Sequence, residues 1–317
     1  MGEALSNVLV TERTPLADGV VELAFADPRG AALPPWEPGA HIDVAVQPPG
    51  AEPSLRQYSL CGDPADATTY RIAVLREAAG TGGSAWIHDA LHVGRVARVS
   101  APRSTFRFRP RGPLVFVAGG IGVTPIVPMI RAADAAGIPW ELHYAGRSRP
   151  AMAYAEQLAA RGERVRLYPK DVRPLSVPAV VAALEPGAAV YACGPDRLLS
   201  ELEERMSETP NELHVERFDN PNEQHLAADH AFEVDLSVSG RSITVEPGRS
   251  ILETLAECGI QVPSSCRGGT CGTCETFVVS GEVDHRDAIL TPAEKEESEV
   301  MMICVSRARG DRLVLEL

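Results

Sequence analysis

The chain has 317 residues, enough for two or three domains with cores of their own. Its 44% hydrophobic content describes a soluble globular protein, and no apolar run reaches membrane-spanning length. A net charge of −13 argues against nucleic acid as a partner.

The opening stretch, MGEALSNVLVTERTPL, lacks a basic segment followed by an apolar one, which predicts a chain that is not exported and works in the cytoplasm. Residues 1–109 then carry short alternating runs at 8–11, 20–25, 41–46, 70–75 and 95–100, bounded by Pro and Gly. Short strands at such spacing, with turn signals between them, predict a small antiparallel barrel.

After Arg109-Pro110-Arg111-Gly112 the pattern changes. Residues 114–118, LVFVA, are a continuous apolar run of the kind buried on both faces of a parallel sheet. The turn Gly119-Gly120-Ile121-Gly122-Val123-Thr124-Pro125 follows, then a helical pattern to Ala135. Further strands are expected at 140–144, 165–168 and 188–192, with helices at 153–160 and 178–184 and another opening at Arg197 with Asp196 as its cap. Alternating strands and helices predict a doubly wound parallel sheet over 110–222. A glycine turn after its first strand lets backbone approach a phosphate and aims a helix N-terminus at it.

Residues 219–225, DNPNEQH, are polar and turn-rich and read as a linker. The third segment, 223–317, contains a hairpin around Ser239-Gly240-Arg241, a helix at 251–258, and four cysteines: Cys266, Cys271, Cys274 and Cys304. The spacing C-x4-C-x2-C with a distant fourth cysteine is the ligand pattern of a plant-type [2Fe–2S] cluster. The loop Ser264-Ser265-Cys266-Arg267-Gly268-Gly269-Thr270-Cys271-Gly272-Thr273-Cys274 supplies small residues and backbone N–H groups for the sulfurs, and Arg267 supplies positive charge beside an anionic cluster. A zinc site would call for paired C-x2-C units or histidines, which the lone Cys304 does not fit. Cys61, Cys193 and Cys258 lie outside this pattern, and the odd total of seven suits a reducing compartment. From 230 to 317 there are 15 Asp and Glu against eight Lys and Arg, a net −7. The acidic run at 294–299 reads either as a solvated helix start after Thr291-Pro292 or as a docking surface for a basic redox partner.

Three motifs in order, Arg56-Gln57-Tyr58-Ser59, Gly119-Gly120-Ile121-Gly122-Val123-Thr124-Pro125 and Cys193-Gly194-Pro195, resemble the signatures of the ferredoxin–NADP reductase superfamily. With the cysteine segment fused behind them, the chain resembles the phthalate dioxygenase reductase group, which includes the vanillate demethylase reductases. The resemblance spans essentially all 317 residues. It implies a flavin-binding antiparallel β-barrel (1–109), an NAD(P)-binding α/β domain (110–222), and a linker with a β-grasp-type [2Fe–2S] ferredoxin domain (223–317).

It also implies roles. Arg56 and Ser59 would hold the flavin phosphate and Tyr58 would cover the isoalloxazine, which suits a guanidinium and an aromatic ring. Gly80, Gly82, Gly83 and Ser84 resemble a second phosphate loop of the compact type that goes with FMN rather than FAD. Ala73 and Val74 fall where a strand lines the flavin. Phe218, in the element His214-Val215-Glu216-Arg217-Phe218, would stack on the flavin, the rival reading being a core phenylalanine. Gly119, Gly120, Gly122, Thr124 and Pro125 match the pyrophosphate and nicotinamide turn. Cys193, Gly194 and Pro195 match the segment beside the nicotinamide, with the thiol as a positioning group.

Two positions depart from the family pattern. Ser104 stands where Asn is usual, leaving open which group hydrogen-bonds near the flavin. Arg147 and Arg149 follow the second strand, where an acidic residue would signal NADH; they suit a 2′-phosphate or a pyrophosphate, so NADH is the expected donor with NADPH open. The implied activity is electron transfer from NAD(P)H through flavin and the cluster to a separate terminal oxygenase, Rieske-type or cytochrome P450, by a monomer with no acid–base residue. An iron–sulfur redox sensor would need no flavin or nicotinamide site. A flavin reductase acting on small molecules would need no fused ferredoxin segment.

Overall fold

The computed structural model describes residues 5–78, 80, 82–220 and 229–317. Three larger sheets account for the three compositional segments, and a two-stranded sheet, Val283–Asp284 with Arg307–Ala308, accompanies the third. Strands β1 (Ser6–Ala17), β2 (Val20–Ala26), β3 (Ala40–Val46), β4 (Ser54–Ser59), β5 (Tyr70–Leu75), β6 (Val96–Val99) and β7 (Arg103–Ser104) form the first, with helix α1 (Gly83–Ala90) between β5 and β6. They are ordered β4-β3-β6-β1-β2-β5, with β7 on β3, and the strands pair antiparallel throughout. A bridge between Leu60 and Ile72 joins the two ends, so the sheet closes on itself and leaves no open edge there. Alternation fills the interior: Val8, Val10, Leu23, Phe25, Ile42, Val44, Ile72 and Val74 form one apolar cluster inside the barrel.

The second sheet, β8 (Leu114–Gly119), β9 (Trp140–Gly146), β10 (Val165–Pro169), β11 (Ala189–Cys193) and β12 (Leu213–Glu216), is wholly parallel in the order β10-β9-β8-β11-β12. Helices α2 (Val123–Ala135), α3 (Ala155–Ala159), α4 (Val177–Ala182) and α5 (Asp196–Met206) connect the strands. All six residues of β8 are buried, as expected of a central strand covered on both faces. The cap of α5 is Pro195, with Asp196 the first helical residue rather than the expected cap; its carboxylate still sits favourably at the positive end of the helix.

The barrel and the parallel sheet share a core. Val20, Cys61, Ala73 and Phe106 of the barrel segment cluster with Ile126, Met129, Tyr154 and Tyr191. The Tyr154 hydroxyl donates to Glu22 Oε2 at 2.6 Å and lies 3.1 Å from Cys61 Sγ. Phe106 and Phe108 pack on Tyr191 at 5.8 and 5.2 Å between ring centroids. Accordingly, the chain divides into two compact units, Ala4–Glu216 and Arg217–Leu317. The expected linker at 219–225 lies mostly outside the described residues.

The second unit contains β13 (Phe232–Leu236), β14 (Arg241–Val245), α6 (Ile251–Glu257), β15 (Glu275–Ser280), β16 (Val283–Asp284), α7 (Pro292–Glu297), β17 (Val300–Met302), β18 (Arg307–Ala308) and β19 (Arg312–Leu315). Its five-stranded sheet runs β14-β13-β19-β15-β17, with β13 and β19 parallel. Ile251, Leu252 and Leu255 of α6 pack on Val234, Met301, Leu313 and Leu315. A capping box of Ser250 and Glu253 starts α6, and one of Thr291 and Glu294 starts α7. The acidic run is thus a helix start with no buried residue.

Candidate functional site

Strand β4, which the sequence pattern does not reveal, carries the first motif. Its register sets Arg56 opposite Val44, Tyr58 opposite Ile42 and Ser59 opposite His41, so Arg56 and Tyr58 share one face. The first residue of α1 lies against the arginine. A Cβ on Gly83 would come within 2.9 Å of Arg56 Cγ and Nε, so only glycine lets the guanidinium lie across the helix start. Gly82 just before it is left-handed, φ 86°. A guanidinium beside the N-terminal N–H groups of a helix is a cradle for phosphate. The Ser84 hydroxyl accepts from the Glu77 amide at 3.1 Å and holds the loop, and Gly80 lies beside Glu77; Thr81 is outside the described residues.

Burial pushes the Tyr58 phenol up, with Arg56 pulling it back, so the ring is a neutral, half-buried surface at neutral pH. Ser59 is buried. Ala73 and Val74 point to opposite sides of β5: Ala73 toward the core shared with the parallel sheet, Val74 into the barrel, where His88 Nε2 lies 2.9 Å from its carbonyl. Ser104 Oγ is buried without a hydrogen-bond partner among the described residues, a group that a bound ligand could satisfy. Arg56 with the start of α1 fits a flavin phosphate and Tyr58 an apolar flavin face, whereas the side chains of Ala73 and Val74 are buried in the cores.

The parallel sheet reverses direction of growth between β8 and β11, the topological switch point where such sheets bind ligands. The two turns that leave these strands touch at the backbone. A Cβ on Gly122 would meet the Cys193 carbonyl at 2.4 Å, and one on Gly119 the Pro195 ring at 2.6 Å. One on Gly194 would meet Gly119 Cα at 2.9 Å. Gly119, Gly122 and Gly194 are therefore required by the packing of one turn on the other. Gly120 differs: it is left-handed, φ 55°, with nothing within 4 Å of where a Cβ would be, and its carbonyl accepts from the Tyr144 hydroxyl at 3.1 Å. Thr124 and Pro125 are buried in the first turn of α2, and the Thr124 hydroxyl donates to the Ile121 carbonyl at 3.0 Å. The open helix start and the bare Gly120 fit a pyrophosphate.

Cys193 is fully buried, and burial, reinforced by Glu216, raises its thiol well above the usual range, so it stays neutral. Glu216 stands opposite it on β12. Glu216 Oε2 is buried without a hydrogen-bond partner among the described residues, and burial pushes the carboxyl up to about 8. In the sequence Glu216 is only the middle of the element 214–218, and nothing local marks it as a protonated acid. Of the two arginines after β9, Arg149 is paired with Glu156 at 2.9 Å, whereas Arg147 is exposed. Phe218 lies in the second unit and is 41% exposed, so it is not a core phenylalanine.

The four cysteines converge. Cys266 interacts with the thiols of Cys271 and Cys304, and Cys274 with that of Cys304, contacts that push Cys266 down and Cys304 up. The amides of Gly268 and Thr270 each donate to Cys266 Sγ at 3.4 Å. Arg267, Gly269 and Gly272 all have positive φ, which curls the loop so that its N–H groups face inward. Cys274 enters β15 and Cys304 leaves β17, two strands that pair through Glu275 and Met302. This set of thiols and amides fits an iron–sulfur cluster.

Residues 234–309 match the family described as 2Fe-2S iron-sulfur cluster binding domain. The chain is 40% identical over 305 residues to phenoxybenzoate dioxygenase subunit beta of Ectopseudomonas oleovorans, covering 95% of this chain and 94% of that protein. It is 37% identical over 316 residues to phthalate dioxygenase reductase of Burkholderia cepacia, covering 97% and 96%. Among solved structures it is similar to an intact type IV self-sufficient cytochrome P450 monooxygenase, with TM-score 0.88 and 44% identity, over 99% of this chain and 41% of that one.

Proposed function

The chain belongs to the phthalate dioxygenase reductase family, flavin- and iron–sulfur-dependent NAD(P)H oxidoreductases that serve oxygenases, and we propose that it carries electrons from NADH through FMN and its [2Fe–2S] cluster to a separate Rieske-type oxygenase acting on an aromatic acid or its methyl ether. The observation that carries this reading is the gathering of four thiols in one unit, in a chain whose other unit pairs a phosphate cradle on a closed barrel with a ligand crevice at a sheet switch point. When bound, nicotinamide supplies a hydride, flavin takes up two electrons and releases them singly, and the cluster carries one at a time.

The chain's own residues bind and orient. Arg56 and the amides at the start of α1 hold the flavin phosphate, Tyr58 covers an apolar ring face, and Ser104 offers its buried hydroxyl. The compact glycine loop through Gly82 and Gly83 leads into the helix and resembles the loop of the FMN-binding members of the family, which supports FMN over FAD. Gly120 and the start of α2 receive the pyrophosphate, and Arg147 meets the adenosine end. Cys193 would border the nicotinamide as a positioning group, and both it and Glu216, opposite it on β12, are neutral at neutral pH.

A second reading has its own support. One solved structure that resembles nearly the whole of this chain is a self-sufficient cytochrome P450 monooxygenase, so a haem acceptor is the alternative. An anaerobic titration with NADH and then NADPH, followed by visible absorption and EPR, tests the scheme. Bleaching of the flavin followed by a reduced [2Fe–2S] signal supports it; a cluster left oxidised beside a reduced flavin overturns it. Reconstitution with a Rieske oxygenase and with a P450 separates the acceptors.

A further inference from the structure

Between the glycine turn after β8 and the barrel runs a line of hydrogen-bonded groups that the electron-transfer scheme does not use. It begins at Gly120, whose carbonyl accepts from the Tyr144 hydroxyl at 3.1 Å. Tyr144 is fully buried on β9, and its oxygen in turn accepts from the Ala153 amide. The next residue, Tyr154, donates its hydroxyl to Glu22 Oε2 at 2.6 Å. Glu22 Oε1 is held by Arg71 Nη1 at 3.1 Å, and the same nitrogen reaches Glu12 at 2.9 Å. All of these residues lie in the unit Ala4–Glu216.

Tyr154 has an uncommon backbone for its bulk. It is left-handed, φ 58°, at the cap of α3. Large side chains rarely adopt this conformation, and it persists only where the surroundings over-determine it. Here the ring is buried in the core shared by barrel and sheet, and its hydroxyl is bound to a carboxylate. Burial pushes the Tyr154 phenol up and the neighbouring Cys61 thiol up to about 12, so both keep their protons and Glu22 is the acceptor that orients the hydroxyl.

What Tyr154 fastens is the segment that follows β9. A Cβ on Gly146 would overlap Met152 Cγ, so the segment folds back over the strand end. The Pro150 carbonyl accepts from the Asp18 amide at 2.9 Å, a second tie to the barrel at the β1–β2 turn. Arg147 stands exposed in this segment. At the other end of the line, Gly120 has no neighbour to confine it, and glycine allows its peptide many orientations. A trans peptide is planar with its C=O and N–H opposed, so holding the Gly120 carbonyl on Tyr144 fixes the direction of the Ile121 amide.

We propose that Tyr154 and Glu22 are positioning residues for the dinucleotide: their hydrogen bond fixes Ala153, which holds Tyr144 on the Gly120 carbonyl and so keeps the glycine turn in the shape that receives a pyrophosphate. The proposal rests on the NAD(P)H reading of this turn. Both residues act through Tyr144 and Gly120 rather than on the nucleotide. Without the bond, the left-handed cap of α3 relaxes, Ala153 shifts from Tyr144, and the turn samples orientations in which its amides no longer converge. Binding then has to select one of them, which weakens it.

The test uses the holoprotein with Tyr154→Phe, which keeps the ring, with Glu22→Gln, which keeps a carbonyl acceptor, and with Tyr144→Phe alone and combined with Tyr154→Phe. ADP-ribose, which carries the pyrophosphate and adenosine without nicotinamide, is titrated calorimetrically, so binding is read without turnover. Stopped-flow bleaching by NADH separates KM from the limiting rate, and flavin content and denaturant unfolding report on the fold. Tyr154→Phe is expected to bind ADP-ribose roughly tenfold more weakly, the lower end of what one hydrogen bond to a charged group is worth, with the loss appearing in KM for NADH rather than in the limiting rate. Glu22→Gln is expected to keep most of the affinity. The double variant is expected to lose no more than the weaker single variant, because both break one path. Parental ADP-ribose affinity in Tyr154→Phe overturns the proposal, as does full additivity of the two tyrosine substitutions. Loss of flavin or of cooperative unfolding in Tyr154→Phe also overturns it, because the hydroxyl would then support the barrel rather than the turn. If the parental protein neither binds ADP-ribose nor is bleached by NADH, the NAD(P)H reading fails instead.

Discussion

Cys304 reaches Cys266 and Cys274 from the end of β17, far along the chain from the loop that holds the other three thiols. Cys304→Ser should lose or destabilise the cluster while flavin reduction by NADH persists, since the residues proposed to hold the flavin phosphate and the nicotinamide lie in the other unit; EPR and stopped-flow absorption check both halves. Glu216 makes a different prediction. Its carboxyl holds a proton up to about pH 8 in the fold but ionises near 4.5 when the chain unfolds. Between these values the native state binds the extra proton, so this residue's contribution is intact below pH 4.5 and is lost as pH rises toward 8. Glu216→Gln should flatten that part of the stability curve, removing a slope of about 1.4 kcal/mol per pH unit, as read from denaturant unfolding at pH 5 to 8. The residue stands in plain view in the sequence, but its protonation depends on what β11 places over it.

Among the elements, glycines in the two phosphate turns answer to different neighbours. A Cβ on Gly122 would strike the Cys193 backbone at 2.4 Å, and backbone in a buried sheet cannot step aside. Gly122→Ala should therefore force β8 and β11 apart at their ends and raise the KM for NADH by tenfold or more, on the order of 1.4 kcal/mol or above, with flavin retained. A Cβ on Gly83 would strike only the Arg56 side chain, which can swing away. Gly83→Ala should fold normally and release flavin more readily, a loss that equilibrium dialysis of the flavin measures. The spacing of the glycines makes both turns recognisable in the bare sequence. Which glycine serves packing and which leaves room for a ligand is not legible there, because that depends on a turn that arrives from a distant part of the chain.

Across the molecule, charge is the global feature that matters most. Over half of the net −13 lies in 230–317, the part that carries the cluster. Like charge over such a surface steers basic partners at low salt. Reduction of a basic protein such as cytochrome c should slow several-fold as ionic strength rises through the range where the Debye length falls from about 10 Å to about 3 Å. NADH-driven flavin reduction should change far less, and equal salt sensitivity of the two rates would remove charge steering from the account. No helix among the described residues is long and apolar enough to cross a membrane.

The class of protein is legible in the sequence because its signals are local: ligand spacing in one loop, glycines at one turn, a switch from two-residue alternation to strand–helix alternation at Arg109–Gly112. Most strands and helices are legible for the same reason. Strand β4 is not, since its Arg-Gln-Tyr-Ser core has no apolar alternation and is extended only because β3 pairs with it. Nor does local pattern show the bridge from Leu60 to Ile72 that closes the barrel, or the core that Cys61 and Phe106 share with Tyr154 and Tyr191. Polarity alone marks 219–225 as the joint of the chain, whereas Asn220 within it is buried against Arg286. Each of these depends on contacts between residues far apart in the chain, and such contacts exist only once the sheets have packed.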